Sequence, residues 1–351
     1  MRFMFVHYVF SDRGSAQDIH HFAAAARELG HEVALYGPMD ANSPFNYSLD
    51  VESADAVIFI FEWTANLQYG DCLDMVRLVS RVPRRKRVVI DCDGKYNDAI
   101  SVVGDYNHAT ENESRTWVDI CDSLGDKIYQ PTYSPLRRNV GTYFFHAYSP
   151  TWEVALDFTS KQYAMFYVGH NWFRWKPFAK VLEAIEPIRA KAGRLGIVGH
   201  GWDSLPPWAN SSIIQDAYLS DPNYLKRMEV EVRPPIEFGE VIDHMSLGVF
   251  HPVVYRPLFD HLRLVTCRTF ETFAANTIPL FATGADYIAE FYGPEANELV
   301  LDGKHAAQDK IEDVLCRPTY YAEIVRGIRC QLAEKHSYAA RLRELVDIVE
   351  S

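Results

Sequence analysis

The chain has 351 residues, 48% hydrophobic and 23% charged, with a formal net charge of −12. That length exceeds one comfortable hydrophobic core and fits two domains, no apolar run approaches the ~18 residues of a membrane span, and the acidic balance argues against general affinity for nucleic acid or anionic membrane. The six cysteines are dispersed without a C-x-x-C pair, so neither a zinc site nor a disulfide framework is suggested, and a reducing cytoplasm is the expected setting.

The apolar opening Met1–Val6 is too short for a signal-peptide core and reads as a first buried strand. Ser11–Ser15 is a loop, and Ser15 followed by Asp18 resembles a capping box. Ile19, Phe22, Ala26 and Leu29 then recur at helical spacing until Gly30. With a strand at Glu32–Gly37 this is a βαβ opening, whose first loop, with Gly14 and Ser15, lies at the carboxyl edge of a parallel sheet where doubly wound folds bind ligands. A buried strand at Ala56–Phe61, a helix near Asp71–Val82 and a strand at Val88–Ile90 continue the series as unbroken apolar runs, the pattern of strands covered on both faces. The basic run Arg84–Arg87 reads as a solvated turn. After a strand at Lys127–Tyr129, the proline-rich and aromatic stretch Pro131–Trp152 is the expected interdomain connection.

A second α/β series follows, with strands at Ala164–Gly169, Leu195–Gly199, Val230–Val232, Leu247–Phe250, Ile278–Phe281 and Leu299–Leu301. Helices are expected at Pro177–Ala192, Phe238–Met245 and Arg268–Asn276. The predicted organisation is a Rossmann-like domain over 1–150, a second over 151–335, and a final helix at 336–351 crossing back to the first.

The densest chemistry lies at Arg268-Thr269-Phe270-Glu271. Arg268 and Glu271 share a helix face. A guanidinium can donate to two diphosphate oxygens, and a carboxylate can accept from ribose hydroxyls; an ordinary i, i+3 ion pair explains the spacing equally well. At the carboxyl end of a first-half strand, Asp91-Cys92-Asp93-Gly94-Lys95 offers a carboxylate that could take a proton from an attacking hydroxyl. Asp91 could equally cap the turn, and Asp91-x-Asp93 also fits a metal pair. Glu62-Trp63, ending the Ala56–Phe61 strand, could meet an acceptor. His251-Pro252, with Tyr255 and Arg256, is placed in a loop after the strand at Gly248–Phe250. His7, His20 and His21 are read as structural by default.

The stretch Arg268–Leu301 resembles the donor-binding segment of GT-B glycosyltransferases, most closely the CgeB-like branch. Tyr167-Val168-Gly169, Val198–Trp202 and His336-Ser337-Tyr338 with Arg341 are similar to the same group, over roughly Phe166–Val349. Ala275-Asn276 departs from the usual Cys-Gly or Ser-Gly there. The layout is also similar to that of phage DNA β-glucosyltransferases. These resemblances imply two Rossmann-like domains facing across a cleft and a nucleotide-sugar donor, most simply a UDP-sugar. They imply that Glu271 accepts from the ribose and that Arg268 and Arg174 face the diphosphate. Gly169 and His251 would lie beside the donor, Asp93 would be the base with Lys95 nearby, and no metal or other cofactor would be needed. The acceptor would be a small molecule or glycan, with nucleic acid disfavoured by the net charge. A sugar-nucleotide epimerase or hydrolase and a non-catalytic nucleotide-sugar binder are the rival readings.

Overall fold

The computed structural model describes residues 1–7, 14–37, 44–62, 78–282 and 286–351. The chain divides into two compact units. One comprises Met1–Ala147, His261–Cys267 and His336–Ser351, the other Tyr148–Asp260 and Arg268–Lys335.

The first unit holds β1 (Arg2–Val6), β2 (Glu32–Tyr36), β3 (Tyr47–Ser48), β4 (Ala56–Phe61), β5 (Arg87–Asp91), a small hairpin of β6 (Ser101–Val102) and β7 (Asp105–Tyr106), β8 (Lys127–Gln130) and β9 (Val140–Thr142). Apart from the hairpin these form one seven-stranded sheet in the order β3-β2-β1-β4-β5-β8-β9, with every pairing parallel. β1 and β4 are neighbours at the centre, with Phe5 opposite Ile58. Chain connections run outward in opposite directions from that pair, which makes it the topological switch point. All six residues of β4 are buried, as a central strand covered on both faces requires.

Helix Gly14–Glu28 buries Ile19, Phe22, Ala25 and Ala26, the helical stripe expected from the sequence. Gly30 turns the chain at φ +74. The helix packs on the last helix, Tyr338–Glu350, with Tyr338 4.8 Å from the His21 ring and 5.2 Å from Phe22. Helix Glu111–Leu124 starts at Thr110, whose side chain accepts from the Glu113 amide, and buries Trp117, Cys121 and Leu124 at i, i+4, i+7.

In the second unit, β10 (Tyr163–Val168), β11 (Leu195–Val198), β12 (Val230–Arg233), β13 (Gly248–Val253) and β14 (Ile278–Phe281) form a parallel sheet in the order β12-β11-β10-β13-β14. Its switch point lies between β10 and β13.

Several expectations change. The 131–152 stretch is not a plain connection, because it contains β9, which extends the first sheet, and its residues as far as Ala147 belong to the first unit. Leu299–Leu301 is not a strand: a 3-10 turn over Pro294–Leu299 leads into a single bridge between Val300 and Phe281. The helix expected at Pro177–Ala192 breaks after Trp175–Ile185 into a 3-10 turn at Glu186–Ile188, where Pro187 denies the backbone an N–H donor. Arg87 is not solvated. It lies buried in β5 and donates to the carbonyls of Val79, Val82 and Leu124, while Arg84 pairs with Asp126. Most of the helix expected at Asp71–Val82 lies outside the described residues.

Candidate functional site

In the second unit, two glycine turns sit side by side at the carboxyl ends of β10 and β11. Gly169 (φ +159) and Gly199 (φ +142) approach so closely that a Cβ on Gly199 would lie 2.2 Å from the Gly169 carbonyl oxygen. No other residue fits there. The loops beyond them are tied together. Buried Asn171 donates to the carbonyls of Gly201, Tyr218 and Leu219, and the Trp202 indole donates to that of Gly169. Phe173, at φ +53, has its amide bonded to the Ala217 carbonyl. This lacing delivers Arg174 to the first position ahead of helix Trp175–Ile185, where its Nη1 donates to the His170 carbonyl at 3.2 Å.

Helix Cys267–Ala274 supplies the other cation. Arg268 Nη1 lies 2.9 Å from Glu271 Oε2, the Arg268 side chain being 30% exposed and that of Glu271 3%. The buried positions run Thr269 through Ala274, so the helix is enclosed on nearly all sides and Glu271 is no surface residue. Thr269 meets the Tyr255 hydroxyl at 2.5 Å. The far end is held by buried Arg329, which donates to the carbonyls of Phe273, Ala274 and Ala275, three acceptors that a helix C-terminus leaves without intrahelical partners. Nothing in the spacing around Arg329 announced this role.

Both cations act electrostatically on one buried side chain. Burial raises the pKa of the Tyr167 phenol, and Arg174 and Arg268 both pull it down. Tyr167 stacks on His251, ring centroids 5.2 Å apart. His251 itself is corrected: it lies inside β13 rather than in a loop after it, fully buried, with Nε2 accepting the Val168 amide at 3.2 Å. Burial, assisted by Arg268, holds its pKa down at about 3, so the ring is neutral. Pro252, beside it, removes a main-chain donor from β13.

In the first unit, Asp91 is the last residue of β5 and completely buried. Its carboxylate accepts from the amides of Lys95 and Tyr96 and from the Gln130 side chain, at 3.0, 2.8 and 2.8 Å. It fixes the turn, and burial raises its pKa. Gly94 (φ +70) closes that turn against Leu262, and the Lys95 ammonium bonds the Asn107 carbonyl. Asp93, by contrast, is partly exposed. Among the described residues no cluster of three or more His, Cys, Asp or Glu is arranged to hold a metal ion. Gly14 begins the first helix. Trp63 lies outside the described residues, as do Ser11 to Arg13 ahead of Gly14 and Ser15.

Glu62 has company that the sequence did not reveal. Its Oε2 is 3.7 Å from His7 Nε2 and its Oε1 3.7 Å from His146 Nε2. His146 Nδ1 in turn meets buried Asp18 at 2.9 Å, and the Tyr338 hydroxyl donates to Asp18 at 2.6 Å. These groups come from five separate stretches of chain, so no local motif could have found them.

Comparison with known proteins agrees with this architecture. Residues 180–347 match the family model described as glycosyl transferase-like, a description that does not single out the CgeB-like branch. The whole chain shares its fold with solved glucosyltransferases. One is a DNA-modifying β-glucosyltransferase studied with and without uridine diphosphoglucose (TM-score 0.59, 11% identity, 100% of each chain covered). Another is the T4 phage enzyme with UDP and Mn²⁺ (TM-score 0.59, 10% identity, 100% of each chain). A third is an α-glucosyltransferase with UDP and a 13-mer DNA (TM-score 0.59, 13% identity, 100% of this chain and 99% of that one). No curated protein sequence matches the chain. The fold is therefore GT-B, two Rossmann-like halves.

Proposed function

We propose that the chain is a glycosyltransferase that moves a sugar from a UDP-sugar to a hydroxyl acceptor. One observation favours this above the rest: the Gly169 and Gly199 turns meet at the carboxyl ends of β10 and β11, with Arg174 at the start of the helix that follows Gly169. Guanidiniums such as those of Arg174 and Arg268 suit a diphosphate, whose charge grows as the glycosidic C–O bond breaks and its electrons pass to the leaving group. Glu271, held by Arg268, supplies an acceptor for ribose hydroxyls. The same cations take the part a divalent ion would otherwise play, so transfer proceeds without metal.

In the first unit Asp93 is the base. The acceptor hydroxyl gives its proton to the Asp93 carboxylate while its oxygen attacks the anomeric carbon. Asp91, its near neighbour, is committed to the turn. The free, buried thiols of Cys92 and Cys121 suit a reducing cytoplasm.

The test is a thermal-shift screen with UDP-, GDP- and ADP-sugars, since a ligand of the native state must raise its stability. A UDP-series shift accompanied by transfer to an added hydroxyl compound supports the proposal. Turnover to free sugar or an epimer alone points to the hydrolase or epimerase reading, and binding without turnover to a sensor.

A further inference from the structure

Helix Gly14–Glu28 runs into the Gly30 turn, and β2 returns beside it. Between the two, and walled by the residues just ahead of β3, lies a cavity of about 310 Å³. That is the small end of the roughly 300–1,000 Å³ of small-molecule sites. Ile19 and Ala23 of the helix and Val33 and Leu35 of β2 give it an apolar lining. Pro44-Phe45-Asn46 make the remaining wall, held to the sheet where the Asn46 carbonyl accepts the Leu35 amide at 2.8 Å.

The cavity has two unlike ends. At one, the Phe45 ring stacks on His20, with centroids 4.2 Å and planes 29° apart. Partial burial lowers the His20 pKa, so near neutral pH the imidazole offers a flat face rather than a charge. Two helical turns on, roughly 10 Å away, Arg27 and Glu32 flank the Gly30 turn and line the same cavity, both of them exposed. Arg27 is steadied by its Nε, which donates to the Ala23 carbonyl at 3.3 Å. Glu32 is steadied through Oε1, which meets Asn46 Nδ2 at 3.1 Å and Arg2 Nε at 3.4 Å. A carboxylate can accept about four hydrogen bonds, so Glu32 keeps capacity for a ligand. A ligand of single charge is attracted by one of the two groups and repelled by the other, whereas a zwitterion is attracted by both. Because Glu32 begins β2, this charged end lies at the amino edge of the first sheet, opposite the carboxyl edge where Asp91 ends β5.

We propose that this cavity binds a free apolar α-amino acid, an aromatic one best. The amino acid's carboxylate accepts from the Arg27 fork and its ammonium donates to Glu32. Its side chain lies along Ile19 and Leu35 toward the Phe45 and His20 rings. A residue at either end of a peptide lacks one of the two charges, so the site selects the free amino acid. The site stands apart from the transferase reading and uses none of its residues.

The experiment titrates L-phenylalanine, phenethylamine and 3-phenylpropanoate into the full chain, with binding read by ligand-observed NMR. L-Phenylalanine is expected to bind saturably, and the other two about tenfold or more weaker, since each lacks one charged partner. Arg27→Met should weaken L-phenylalanine about tenfold or more without weakening phenethylamine. Glu32→Gln should do the same without weakening 3-phenylpropanoate. Ala23→Leu, which fills the cavity, should block all three. Should Glu32→Gln lower Tm through its lost ties to Arg2 and Asn46, Arg27→Met carries the charge test alone. Absence of saturable L-phenylalanine binding would overturn the proposal, as would equal affinity for the three probes or affinity untouched by Arg27→Met. Displacement of L-phenylalanine by UDP would overturn it too, by placing the amino acid in the donor site.

Discussion

Arg268 and Glu271 meet at 2.9 Å across one helical turn, the carboxylate buried and the guanidinium one-third open. A pair this asymmetric differs from a surface ion pair, whose worth is ~0.3 kcal/mol. Removing the arginine takes a charge partner from a buried carboxylate. Arg268→Ala is expected to lower stability by about 1–3 kcal/mol, read from urea midpoints at constant m, and to raise the Kd for UDP. Loss of UDP binding with no change of midpoint would mean that the pair is energetically idle.

Arg329 holds the other end of the same helix. Arg329→Ala takes one donor from each of the carbonyls of Phe273, Ala274 and Ala275, of which Ala274 keeps the Val154 amide and Ala275 the Thr277 amide, and the expected cost is about 1–3 kcal/mol. Arg329→Lys, a point donor without the planar fork, should recover only part of it. Full recovery by lysine would show that charge alone is needed.

His251 gives stability a pH dependence of definite sign. Its folded-state pKa is about 3 against an ordinary 6.5, so between those values the unfolded chain binds more protons than the folded one. Stability is fully present above pH 6.5 and declines as pH falls toward 3. His7, at about 4, contributes in the same direction over a narrower window. His251→Asn should be destabilised at pH 7, through the lost Val168 contact, yet show a shallower loss between pH 6.5 and 4.5. Equal slopes in urea titrations would remove His251 as the source.

Asp91 and Asp93 should separate cleanly despite lying two residues apart. Asp91→Ala deprives three donors and is expected to cost about 2–4 kcal/mol. Asp93→Asn should stay within about 0.5 kcal/mol of the parent while abolishing transfer and keeping UDP binding. An Asp93→Asn protein with unimpaired transfer would exclude it as the base.

Much of the fold was legible because buried parallel strands announce themselves as unbroken apolar runs: Ala56–Phe61, Tyr163–Val168 and Ile278–Phe281 are buried from end to end. β9 was not legible, since Val140-Gly141-Thr142 has neither length nor apolar density and gains its place by pairing with β8. Arg268 and Glu271 stood out through spacing within one helix. His251 was misplaced because proline at 252 reads as a strand end, whereas here the strand runs through it to Val253. Asp18, His146 and Arg329 stayed hidden, as their partners lie up to 320 residues away and only tertiary packing joins them.

Arg174 and Arg268 are proposed to hold a nucleoside diphosphate on the second unit. Calorimetric titration of UDP into the parent, Arg174→Ala and Arg268→Ala proteins tests it most directly. Saturable binding by the parent and a Kd raised about tenfold or more in each variant are expected. Variants that stay folded and bind UDP as tightly as the parent would contradict it.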